Sequence, residues 1–268
     1  MSRSAHAEVI GLMFLPEPDE FVAGKMAANS PMRQDSRNAS QAPAPLKHPV
    51  TLLAIMLLAA WTYLAANALK NDILPNDQTL ALVRKQFGEQ ALERLQRWRV
   101  LLDRDLVGVS EQAKLEQVNR FFNQIPGVDD QTNWNQRDYW ATPVELLVRN
   151  GGDCEDYALA KYFTLKAAGV PDERLRITYV RIWLAREKKV ESHMVLAYYP
   201  HPESEPLILD NIDPRIRPAA ERSDLVPGMS FNGDGLWSAK QRGQNGRIGE
   251  TSSIQHWNNL LARMRQDR

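Results

Sequence analysis

The sequence predicts an α+β fold, helices first and an antiparallel sheet after them, set behind a polar leader and one membrane-directed segment. Three observations carry that expectation. Between residues 77 and 168 apolar side chains recur at helical spacing. Between residues 176 and 210 they become β-branched and aromatic, in runs parted by polar or proline-rich turns, which is the pattern of strands. Ahead of both, residues 50–69 carry no charged side chain. Helices gathered before strands, instead of alternating with them, distinguish α+β from α/β architecture.

Residues 1–49 are rich in Pro, Ala, Ser, Asn and Gln and show little periodicity, so they are expected to be a disordered cytoplasmic leader; a start at Met26 or Met32 would shorten it. The run Val50 to Leu69 is long enough to span a bilayer as a helix, and its ending, Ala66-Asn67-Ala68, also fits signal-peptidase cleavage. Arg33, Arg37 and Lys47 precede it, which holds the N-terminus inside and exports the C-terminal part of the chain. Residues 77–268 are then one exported domain, in contact with the membrane only if residues 50–69 stay attached as an anchor.

Within that domain Leu80, Leu82, Val83, Phe87, Leu92, Leu95, Trp98 and Leu101 predict two helices broken near Gly88. Ser110 is placed to cap a third, ending near Asn123 before Pro126-Gly127. Thr142-Pro143-Val144-Glu145 reads as a capping box with proline in the first turn. Asn150-Gly151-Gly152-Asp153 breaks the chain, and a helix runs from Cys154 to Ala168, closed by Gly169 and Pro171. Strands are expected at Arg176–Leu184, His193–Tyr199 and Pro206–Asp210, with the charged run 186–189 as a solvated hairpin tip and Asn232-Gly233-Asp234-Gly235 as a turn. Trp257, Leu260, Leu261 and Met264 mark a terminal amphipathic helix.

Composition narrows the chemistry. Lys plus Arg number 33 and Asp plus Glu 33, a formal net charge of zero with no basic run, so nothing marks a nucleic-acid surface. One cysteine excludes an internal disulfide framework and every CxxC metal or cluster site. It leaves a lone thiol, Cys154, at the start of a helix, where free N–H groups and the helix dipole favour a thiolate and could hold an oxyanion. Of the five histidines only His193 opens a predicted strand, and Asp210 ends the next one. A sheet packed on the Cys154 helix would bring the three together as nucleophile, base and orienting acid, 39 and 17 residues apart. Taken singly, each also reads blandly: a small buried cysteine, a strand histidine satisfied by a carbonyl, an aspartate in a turn.

The segments Tyr139-Trp140-Ala141-Thr142-Pro143-Val144-Glu145, Gly151-Gly152-Asp153-Cys154-Glu155-Asp156-Tyr157-Ala158, Ser192-His193-Met194 and Leu209-Asp210-Asn211 resemble the bacterial transglutaminase-like cysteine proteinases, in particular their LapG-type periplasmic branch, over about residues 77–240. The resemblance implies a papain-like/transglutaminase-like core in which Cys154, His193 and Asp210 align with the family triad. It implies a substrate, the N-terminal region of a large LapA-like biofilm adhesin cut at a dialanine. It implies a partner too, a LapD-like inner-membrane receptor that sequesters the protease and releases it when cyclic-di-GMP falls. An amine-accepting transglutaminase or amidase with the same triad, and a non-catalytic calcium-dependent binding module, stay open alongside the protease.

Three carboxylates, Asp153, Glu155 and Asp156, flank the thiol and would oppose its ionisation. Acids in a first helical turn can simply complement the dipole. A bound cation would neutralise them, and clustered hard oxygens suit Ca²⁺, with Asn133 or Asp138 as further ligands. The resemblance points to Ca²⁺, because these three acids align with those around the cysteine of the calcium-dependent relatives. Trp134 and Trp140, just upstream, are candidates for the cleft or for the core.

Overall fold

The computed structural model describes residues 70, 73–201, 203–238 and 246–267. The expected leader, 1–49, and the charge-free segment, 50–69, lie outside them. Among the described residues no helix is long and apolar enough to cross a membrane.

Among the described residues, six α-helices from Asp77 onward precede the sheet. Helix α1 (Asp77–Phe87) is capped by the Asn76 side chain, and Gly88, at φ +83°, turns the chain into α2 (Glu89–Val100), which runs on through a π turn at Leu101–Asp105. The buried stripe holds Leu80, Val83, Leu92, Leu95 and Trp98, whereas Leu82 and Phe87, counted into the helical pattern from sequence, face solvent. Ser110 caps α3 (Glu111–Phe122). After the short α4 (Asp130–Trp134), the expected capping box forms at α5 (Pro143–Arg149), with the Glu145 N–H on Thr142 Oγ1 and the Thr142 N–H on Glu145. Arg94 of α2 donates to the carbonyls of Leu147 and Val148, so the far end of α5 is satisfied by a guanidinium.

Helix α6 (Cys154–Ala167) is the axis of the fold. Nearly every residue from Asp156 to Ala167 is buried, so its sequence has no polar face, as a helix enclosed on all sides requires. Two of its polar groups are tied to neighbouring segments: Trp98 Nε1 donates to Thr164 Oγ1 at 2.9 Å and Tyr157 Oη to the Ile125 carbonyl at 2.6 Å.

The sheet holds β1 (Leu175–Leu184), β2 (Lys189–Tyr198), β3 (Leu207–Leu209), β4 (Arg217–Pro218), β5 (Leu225–Phe231), β6 (Leu236–Ser238) and β7 (Arg247–Gly249) in the order β4-β3-β2-β1-β5-β6-β7, each neighbouring pair antiparallel. Helix α6 packs on the face that carries Ile177, Met194, Leu196 and Leu209. A smaller apolar cluster, Val180, Val195, Ala197 and Ile208, covers the other face. The terminal helix α7 (Gln255–Met264) buries Trp257, Leu260 and Met264 against the main core.

One expectation needs correction. His193 does not open its strand: β2 begins at Lys189, and its first four residues are exposed. The hairpin reaches beyond the helical layer, and His193 is the first residue of β2 to enter the interior. The alternation of Val190 with polar neighbours in that exposed stretch is too weak a strand signal to extend the element by sequence alone. Strands β4 to β7 were not anticipated either, being short or interrupted by Pro227 and Gly228.

Candidate active site

The site is built where α6 starts beside β2. The entry to α6 is fixed by close backbone packing. Gly127 and Gly152 form a parallel β-bridge, and the Val128 N–H donates to the Gly152 carbonyl at 2.9 Å. A Cβ on Gly151 would lie 2.7 Å from Val128 Cγ2, and one on Gly152 2.5 Å from Asp156 Oδ2 and 2.6 Å from Leu146 Cδ1. Both positions need glycine for lack of room. The bridge delivers Cys154 to the first turn of α6 with its sulfur beside β2, where the Met194 backbone N–H points at it. The sulfur therefore lies against the peptide just after His193.

His193 and Asp210 meet directly. His193 Nε2 is 2.8 Å from Asp210 Oδ1, and the two are 4% and 1% exposed, so the contact is shielded from water. Strand β3 pairs with β2 through Leu209 opposite Leu196, so Asp210 lies just past the end of β3, level with the chain near His193. Asp210 is held on every side: Oδ1 also accepts the Ile212 N–H at 2.9 Å, and Oδ2 accepts Arg222 Nη2 at 2.8 Å. Burial opposes its charge, but the His193 contact, the Ile212 N–H and Arg222 outweigh that and hold it ionised, at about 2. An ionised carboxylate accepts only, so the proton between the two belongs to His193 Nε2, and in a neutral imidazole Nδ1 keeps its lone pair.

Acidic groups crowd the thiol. Cys154 Sγ donates to Glu155 Oε2 at 3.0 Å. Burial, and after it the charge of Glu155 and Asp153, pushes the thiol far above its ordinary range. Asp153 is raised to about 10 by burial and by Glu155 and Asp156, and Asp130 to about 6, mainly by burial. Asp156 is fully buried with its oxygens on the N–H groups of Ala141, at 2.7 Å, and Asp153, at 3.3 Å.

The acids converge in two overlapping sets, Asp130 with Asp153 and Asp156, and Asp130 with Asp138 and Glu155, each with one oxygen per residue within 4.8 Å of the others. Asp153 Oδ1 and Asp130 Oδ1 are buried without a hydrogen-bond partner. Unpaired buried carboxylate oxygens facing like charge are what a hard divalent cation would satisfy, so the donor set fits Ca²⁺. Asp138 thus joins the cluster; the Asn133 amide instead donates to the Gly151 carbonyl at 2.8 Å. Asp130 carries no signal in the sequence. It lies 23 residues before Asp153 on the short α4, and the Gly127–Gly152 bridge together with the Asn133–Gly151 bond brings that segment alongside. Trp140 belongs to the core, stacked on Phe231, while Trp134 stacks on Tyr139 beside this acidic cluster with the Arg149 guanidinium over its ring.

A lone thiol at a helix N-terminus, next to a strand that carries a buried histidine–aspartate pair, defines a cysteine-hydrolase arrangement on a helix-and-sheet core. Comparison with known proteins agrees with it. The family described as bacterial transglutaminase-like cysteine proteinase matches residues 102–224. Legionella pneumophila LapG in its EGTA-treated form is 42% identical, over 70% of this chain and 96% of that one, with a TM-score of 0.60; its calcium-bound form is likewise 42% identical, over 70% and 98%, with a TM-score of 0.59. No match was found among curated proteins. The chain belongs to the bacterial transglutaminase-like cysteine proteinase family.

Proposed function

We propose that this protein is a periplasmic, calcium-dependent cysteine endopeptidase that cuts the N-terminal region of a large surface adhesin between two alanines, releasing the adhesin and dispersing biofilm. A cyclic-di-GMP receptor of the inner membrane holds it back. The observation that carries the reading is the His193–Asp210 pair, buried beside the strand peptide that contacts the Cys154 sulfur. The LapG resemblance supports the substrate and receptor, and the charge-free residues 50–69 behind Arg33, Arg37 and Lys47 support export.

In this reading His193 Nδ1 takes the thiol proton as the sulfur attacks the scissile carbonyl carbon. The oxyanion is met by free N–H groups in the first turn of α6. As the C–N bond breaks, His193 passes its proton to the leaving amine, and a thioester joins the N-terminal product to Cys154. His193 then deprotonates a water that attacks the thioester, which restores the thiol and frees the acid. Asp210 holds the imidazole in the tautomer these steps need. Asp130, Asp138, Asp153, Glu155 and Asp156 would hold the calcium, whose charge, when bound, offsets the acids that otherwise oppose thiolate formation.

The test incubates the full chain with the N-terminal region of an adhesin from the same cell and reads intact masses with Ca²⁺ and with EGTA. Two fragments meeting at a dialanine, seen only with Ca²⁺, are expected. Cross-linked or deamidated glutamine in place of scission would make the protein a transglutaminase or amidase.

A further inference from the structure

Asp210 Oδ1 is held by His193 and the Ile212 N–H, and Oδ2 by a third group. Arg222, 2% exposed, places Nη2 at 2.8 Å from Asp210 Oδ2 and at 2.7 Å from Asp224 Oδ2, while its Nε reaches Asp224 Oδ1 at 2.9 Å. The Asp224 carbonyl accepts the Trp183 N–H of β1, and the Arg222 carbonyl accepts the Leu225 N–H at the entry to β5. One guanidinium therefore ties the loop after β3 to the turn before β5, although β2 and β1 stand between those strands in the sheet. Arg222 Nη1 is buried without a hydrogen-bond partner. The planar fork is turned to serve the two carboxylates and leaves its third nitrogen unsatisfied, a placement that costs stability.

From this geometry we infer that Arg222 is a positioning residue for the hydrolytic reaction, acting through Asp210. A carboxylate this deeply buried would take up a proton if nothing held it ionised. A protonated Asp210 could donate to His193 Nε2, which would move the imidazole proton to Nδ1 and leave no lone pair for the thiol. Arg222 blocks that switch by a fixed charge on Oδ2, the oxygen His193 does not use, and its single Nη2 bond holds that oxygen so that Oδ1 is left to Nε2, while its Nε/Nη2 fork is anchored on Asp224. Asp224 completes the device by orienting the guanidinium and balancing its charge. The inference rests on Cys154, His193 and Asp210 acting as the triad.

The experiment compares Arg222→Met, Arg222→Lys, Asp224→Asn and Asp210→Asn in the full chain with Ca²⁺, reading kcat and KM on the adhesin fragment, the thermal midpoint, and the downfield proton resonance of His193 Nε2. Arg222→Met is expected to lower kcat about 100-fold with KM within about twofold, and to weaken the downfield resonance. Arg222→Lys keeps the charge but not the fork and recovers about tenfold of that loss. Folded variants whose kcat and resonance match the native protein, while Asp210→Asn is impaired, overturn the role of Arg222 and leave the triad standing. Unchanged kcat in Asp210→Asn sinks the triad and this inference together. If Arg222→Met does not fold, Arg222→Lys and Asp224→Asn decide: a fall in kcat with KM held supports the inference, and unchanged kcat in both rejects it.

Discussion

Asp210 is a carboxylate that burial alone would neutralise, and the groups around it reverse that outcome. Its folded-state pKa is depressed, so its contribution to stability is present above the ordinary aspartate range and is lost as pH falls through about 2. Asp210→Asn keeps the volume but can present an amide to Nε2, which favours the wrong tautomer. kcat should fall about 10²–10⁴-fold with KM nearly unchanged, as steady-state kinetics on the adhesin fragment would show. Asp130 makes a separate case, since its unpaired buried Oδ1 has no role in the triad. Asp130→Asn should weaken calcium binding at least about tenfold, read by calorimetry, while the calcium-free thermal midpoint holds or rises because one repelling charge is gone. A midpoint that still climbs with the same calcium dependence as the native chain would remove Asp130 from the metal site.

At the scale of elements, the entry to α6 couples fold to chemistry. The Asp156 and Leu146 side chains occupy the space a larger residue would need at Gly152. Gly152→Ala should cost about 1–3 kcal/mol in urea unfolding and weaken calcium binding, because the nearest atom to the new methyl is Asp156 Oδ2. The start of α6, the capping box at Thr142 and the Gly88 break were legible because each rests on a local signal within a few residues. The registry of β2 was not: four exposed residues before His193 carry no burial pattern, and only pairing with β1 makes them a strand. Strands β4 to β7 and the place of Asp130 in the acidic cluster were hidden for the same reason, since contacts distant in sequence create them.

At the scale of the molecule, two buried cations act on Asp210 besides His193, and they are satisfied differently. Arg222 is paired; Lys161, two turns into α6 on the same helix as Cys154, is 1% exposed in the main core, with its ammonium 5.9 Å from the centre of the Tyr157 ring. Burial lowers Lys161 to about 7, and the charge of Asp210 only partly restores it. Between about pH 7 and its unfolded value near 10.4 the unfolded chain binds more protons at this site, so this residue's contribution to stability rises with pH across that window. Lys161→Met, close in volume, should stabilise the fold by about 1–4 kcal/mol near pH 6 and by little near pH 10, with the difference from the native chain read by urea unfolding at each pH. A Lys161→Met effect that does not change with pH would mean the ammonium is satisfied in a way its burial does not reveal. The meeting of His193 with Asp210 was legible from residue types and one resemblance, but neither of these buried cations was, because nothing in a sequence marks which basic residue turns inward.

The proposed chemistry depends on Cys154 as a nucleophile activated by His193. Because the chain has one cysteine, thiol alkylation reports on it alone, and the measurement to make is the rate of iodoacetamide alkylation, followed by intact mass with the adduct located on Cys154 by peptide mapping, for the native chain and His193→Ala, both with Ca²⁺. Alkylation of the native chain should be fast near neutral pH, drop sharply in His193→Ala, and abolish cleavage in step with modification. Equal rates in the two proteins, or full cleavage by the alkylated chain, would rule out Cys154 as a nucleophile activated by His193.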